Sequence, residues 1–162
     1  MEKKKELRLY NLMFPIWMLI WLPSWLWLVL IPLNYCIDAL VLHLSLPAGQ
    51  DRRAFRRKHA WKICLAGFVS DFLGSAAILG LYALDISRDF TYDIAYDPFG
   101  SAAALAVTVA AIGISAAAIF LLDRRILRRA GLDPETARRA ARNLAVLTAP
   151  YLFLIPSGLL YR

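Results

Sequence analysis

The chain has 162 residues, of which 60% are hydrophobic and 19% charged, with a mean hydropathy of +0.53, against roughly 45–50% apolar and 25% charged residues in a soluble domain. That excess excludes an ordinary soluble globule, and the length leaves room for a single domain with at most five or six crossings at about 20 residues each. The net charge of +7 is not a nucleic-acid signature, because the basic residues stand in short clusters between apolar runs, as they do where charge orients a membrane chain.

The start, Met1 to Arg8, is basic and leads into apolar sequence, the outline of a signal peptide. Pro23-Ser24-Trp25-Leu26-Trp27 follows in place of a small-residue cleavage site, so the segment is expected to be retained. Apolar sequence runs on to Leu46, too long for one crossing of a hydrocarbon layer about 30 Å thick. Pro23 is the expected break, since proline cannot continue a helix without losing a backbone hydrogen bond, and Trp21, Trp25 and Trp27 flank it as an interfacial belt would. The first two helices are therefore expected at 9–22, short or re-entrant, and at 24–46.

A third helix is expected over 51–84, its basic first stretch capped by Asp51. The segment from Asp85 to Asp97 places Asp85, Asp89, Asp93 and Asp97 four residues apart, which on a helix would stack like charges, so it is expected to be a solvated loop. Asp97-Pro98 and Asp133-Pro134 each set a capping residue before a proline at the first helical position, opening helices at 98–130 and 134–160. Gly131 is the natural stop of the fourth helix, and Pro150 and Pro156 should kink the fifth. The expected fold class is thus all-α: a polytopic membrane bundle of about five helices forming one domain over 1–162.

Lysine and arginine counts set the orientation. Four lie in the N-terminal stretch, six between Arg52 and Lys62 and seven between Arg124 and Arg142, leaving only Arg88 and Arg162 elsewhere. Seventeen of nineteen on one side put the N-terminus in the cytoplasm and the C-terminus outside, in a multi-pass bacterial inner-membrane protein.

A charge near the centre of a spanning helix costs roughly 2.5–3.5 kcal/mol on insertion scales, so intramembrane acids require a reason. The second helix carries Asn34 and Asp38 on one face and the third carries Ser70 and Asp71. At 1.5 Å rise per residue the two acids come nearly level on antiparallel neighbours. Two such carboxylates cannot both ionise cheaply, which suits a proton relay or a cation site; a hydrogen-bonded interhelical clamp is the structural alternative. Thr148 and Tyr151, beside Pro150, and His43 are candidate pathway groups. Small residues at four-residue spacing, Gly67, Ser70 and Gly74 on the third helix and Ala102, Ala106, Ala110, Gly113 and Ala117 on the fourth, mark packing faces within the chain or between copies.

Arg52, Arg53, Arg56 and Arg57 in the first basic turn and Arg124, Arg125, Arg128 and Arg129 in the second are expected to contact anionic headgroups or a partner protein. Cys36 and Cys64 lack the spacing of a metal or disulfide motif. No nucleotide-binding, zinc-protease or serine-hydrolase motif is present, and Tyr35–Asp38 and Gly67–Asp71 lack the glycine-aspartate motif of presenilin-type proteases. The leading expectation is a transporter or channel moving a cation or a proton-coupled solute, without a cofactor and in oligomeric form. A non-catalytic subunit docking through its arginine face comes second and an intramembrane aspartyl enzyme third.

Overall fold

The computed structural model describes residues 15–21, 25, 27–49, 51–84 and 86–159. Within them the chain forms α1 (Trp27–Ser45), α2 (Arg52–Ala83), α3 (Arg88–Tyr96), α4 (Ala102–Arg129) and α5 (Pro134–Leu147), with short 3-10 helices at Ile16–Ile20, Tyr151–Leu154 and Ser157–Leu159. No strand occurs among the described residues. α1, α2 and α4 are long and apolar enough to cross a membrane.

Three of the sequence signals act as expected. Asp51 takes the amides of Arg53 and Ala54 and starts α2. Asp133 takes those of Glu135 and Thr136, with Pro134 in the first helical position of α5. α4 ends at Gly131, whose φ of +92° only glycine adopts without strain; the Gly131 amide donates to the Arg128 carbonyl and the Leu132 amide to that of Leu127, a closure that buries Leu132 against the same core.

The Asp133 cap is fully solvated, and the Thr136 amide, helped by its hydroxyl, holds the carboxyl below the usual carboxylate range. The group is therefore bound more tightly as an anion in the folded state. Its stabilisation is complete at neutral pH and is lost as the pH falls through the depressed value. Asp133→Ala is expected to lower the thermal unfolding midpoint at pH 7, with the gap from wild type closing only below about pH 4; a pH series of melting curves checks both.

Four expectations are corrected. Residues 9–14 and 22 of the first predicted helix lie outside the described residues, as does the Pro23-Ser24 break, but Ile16–Ile20 is a 3-10 helix, tighter and shorter than the α-helix expected. It turns Trp17 inward, where the indole N–H donates to the Ile94 carbonyl at 3.0 Å. The acidic loop contains α3 instead of open coil. Its charges are relieved locally: Asp89 lies in the first turn, where the helix dipole favours an anion, and Asp97 lies past the end, accepting the Phe99 amide. Because Asp97-Pro98 is spent in that turn, α4 begins later, capped by Ser101. Finally, the fifth segment does not run as one helix to 160. Pro150 has no N–H to offer the Val146 carbonyl, α5 ends at Leu147, and the chain continues in 3-10 turns.

The packing order is a closed ring: α1 touches α2, α2 touches α4, α4 touches α5 and α5 returns to α1. Leu42, Ile63, Leu127 and Leu144 are buried in the half of the ring that holds both basic turns. Trp17, Ile78, Ala111 and Phe153 fill the other half, where α3 and the 3-10 helices close the end; the Ser157 hydroxyl accepts the Ile16 amide and donates to the Ala95 carbonyl. Outward faces are apolar, with Leu28, Leu33 and Leu40 of α1, Leu65 and Leu73 of α2 and Val109 of α4 exposed. In lipid such helices are held by close packing and interhelical hydrogen bonds rather than by exclusion of water.

Candidate functional site

Inside the ring every wall contributes a polar side chain. α1 brings Asp38, α2 brings Ser70 and Asp71, α4 brings Ser115 and Asp123, and Thr148 follows the last turn of α5. Asp38 is 1% exposed and Asp123 0%. Asp38 lies within Coulombic reach of both Asp71 and Asp123.

Each group is placed by its helix. Gly67 of α2 lets α1 approach: a Cβ there would stand 3.7 Å from Asp38 Oδ2 and 3.9 Å from Asn34 Nδ2. Asn34 and Asp38 thus share the α1 face turned to α2, as their four-residue spacing implies. Higher on α2, Gly74 meets α4 more closely still. A Cβ at that position would overlap the Ser115 hydroxyl and lie 2.7 Å from the Ala111 carbonyl oxygen.

The hydrogen-bond inventory leaves the acids exceptional. Asp38 Oδ2, Asp71 Oδ1 and both Asp123 oxygens are buried without a hydrogen-bond partner among the described residues. Thr148 is the polar neighbour of Asp38, and its hydroxyl also donates to the Leu144 carbonyl at 2.9 Å. A clamp would be expected to satisfy these oxygens, because an unpaired buried polar group costs about 1–3 kcal/mol. Among the described residues no three His, Cys, Asp or Glu side chains converge to hold a metal ion.

The remaining sequence candidates separate. Ser70 is fully buried at the layer, but its hydroxyl donates to the Ala66 carbonyl on its own helix at 2.7 Å. Tyr151 is half-exposed, and its hydroxyl donates at 2.6 Å to the Val146 carbonyl that Pro150 leaves without an amide, across the break in the fifth segment. His43 is half-buried with Nδ1 unpartnered, nearer the basic end of α1. Of the arginines, Arg52 turns its Nε to the Pro47 carbonyl, while Arg124, Arg125, Arg128 and Arg129 line one surface trough. The two small-residue stripes differ: Gly67, Ser70 and Gly74 pack inside the chain, whereas Ala102, Ala106, Ala110, Gly113 and Ala117 of α4 face outward.

Asp123 is the member that sequence reasoning missed. Followed at once by Arg124 and Arg125, it passes for part of a basic turn. Its periodicity carries the signal: Ala104, Thr108, Ala111, Ser115, Ile119, Asp123 and Leu127 recur every three or four residues and are all buried. The polar members of that stripe share the inward face of an otherwise apolar helix.

No protein-family model, curated protein or solved structure matches this chain.

Proposed function

We propose that the protein is a multi-pass inner-membrane transporter or channel-like protein in which Asp38, Asp71 and Asp123 take up and pass on protons, coupled to movement of a solute or cation. The supporting observation is a set of carboxylates on three helices, Asp38 and Asp123 buried and Asp71 half-buried, each with at least one buried oxygen that has no hydrogen-bond partner among the described residues, with Asp38 in Coulombic reach of the other two and Thr148 beside it at a break in the fourth wall. Intramembrane acids with oxygens left unpartnered are costly to keep, and transfer of a proton is the chemistry that uses them in that state. Asn34, on the same face of α1, orients the group that Asp38 binds.

In this reading α1, α2 and α4 cross the bilayer. The fifth segment crosses as a broken element, α5 from the cytoplasmic side up to Thr148 and 3-10 turns beyond it. Discontinuous helices meeting a polar site near the midplane are how transporters expose backbone groups to a substrate. Both basic turns face the cytoplasm. One ring of this size does not enclose a wide pathway, and the outward stripe of small residues on α4 supports assembly of copies.

Reconstitution tests the proposal. Liposomes holding the purified protein should dissipate an imposed pH gradient faster than empty liposomes. Vesicles as tight to protons as the empty control, at every pH tried, would reject it.

A further inference from the structure

The last two turns of α4 form a second feature that the acidic layer does not use. Arg124, Arg125, Arg128 and Arg129, together with Leu121, line a surface trough of about 480 Å³. Leu121, Arg125 and Arg128 follow one another at helical spacing, with Arg124 and Arg129 at the flanks. Arg124 and Arg128, and likewise Arg125 and Arg129, stand four residues apart, so their charges repel unless an anion sits among them. Among the described residues no carboxylate pairs with any of the four, and Arg124 Nε is buried without a partner. Leu121, 61% exposed, lies one turn deeper in the same apolar helix.

We infer that this trough binds the phosphate of an anionic phospholipid. Guanidinium groups match phosphate oxygens in forked, charge-assisted pairs, and four of them on two turns can engage one phosphate from more than one side. The apolar wall decides the source of the phosphate. The arginines stand where the apolar helix ends, at headgroup depth, and Leu121 stands where the first methylenes of an acyl chain would lie. Elsewhere, Arg52 is turned back to the Pro47 carbonyl, and Arg138, Arg139 and Arg142 point away from the α5 core.

The test compares equal removals of charge at two places. Full-length protein in neutral detergent is titrated with phosphatidylglycerol, phosphatidylcholine or inorganic phosphate, and native mass spectrometry counts lipid adducts while melting curves read stabilisation. Phosphatidylglycerol should bind and stabilise the wild type, and phosphatidylcholine should not. The triple variant Arg125→Gln, Arg128→Gln, Arg129→Gln should bind phosphatidylglycerol about a hundredfold more weakly, while Arg138→Gln, Arg139→Gln, Arg142→Gln stays close to wild type. Single Arg125→Gln and Arg128→Gln variants should each show a partial loss, which keeps the test decisive should the triple variant misfold. Equal loss in both triple variants would mean diffuse attraction to charge and overturn the site. Saturation by inorganic phosphate, or displacement of lipid by an acidic peptide with higher affinity, would overturn the lipid assignment.

Discussion

Gly74→Ala should destabilise the bundle by about 3 kcal/mol, the upper part of the range for overpacking a well-filled interior. The added methyl would overlap the Ser115 hydroxyl and press to 2.7 Å from the Ala111 carbonyl. The hydroxyl can rotate, but the carbonyl belongs to the α4 backbone and cannot retreat without moving the helix. Combining Gly74→Ala with Ser115→Gly should therefore recover only part of the loss, a coupling expected of residues in direct contact. Gly80 and Gly113 provide the control, because a methyl at either meets nothing within 4 Å. There the exchange to alanine should be neutral or stabilising by up to about 1 kcal/mol, since glycine weakens a helix interior. Thermal unfolding midpoints of wild type and these four variants in one detergent measure all of this. A Gly74→Ala protein as stable as wild type would show that α2 and α4 do not approach so closely.

The second large effect concerns Asp123, and its sign separates a working acid from a clamp. Both of its oxygens are buried and unpartnered, so replacing it removes a penalty instead of a bond. Asp123→Leu is expected to stabilise the folded protein by about 1–3 kcal/mol, and Asp123→Asn to leave it folded, while both lose proton flux. Gain of stability with loss of activity is the trade expected where a functional site is kept against the interest of the fold. If the acid served as an interhelical clamp, the same exchanges would lower the melting midpoint, and flux would fall only in proportion to the protein unfolded.

Much of the architecture was legible in the sequence because local rules governed it. Asp51, Asp133-Pro134 and Gly131 set helix ends by side-chain or glycine geometry that needs no tertiary partner, and apolar runs of the right length located α1, α2 and α4. In the acidic segment the four-residue spacing of aspartates signals only repulsion, yet the segment is helical. Ser87 caps that helix, Asp97 leaves it, and Ile94 and Ala95 bury its inner face, none of which charge spacing reveals. The fifth segment was drawn through Pro150 as a kink, when the missing amide ends the helix and passes the Val146 carbonyl to Tyr151.

The site shows the same division. Asn34, Asp38 and Asp71 could be found from spacing and depth, and Thr148 from its neighbour Pro150. Asp123 could not be found by looking for isolated acids in apolar runs, because two arginines follow it in sequence while α4 turns them to the surface trough and Asp123 to the interior. Only the inward periodicity of α4, or the fold itself, separates that acid from the bases beside it.

Asp38 is the group through which the other two acids are linked, so the central claim stands or falls on it. The most direct measurement is the initial rate of proton entry into proteoliposomes under an inside-negative potential, with wild type and Asp38→Asn reconstituted at equal amounts of folded protein. The account predicts that Asp38→Asn falls to the rate of empty liposomes while keeping the helical content of the wild type. A wild-type rate in Asp38→Asn would contradict it.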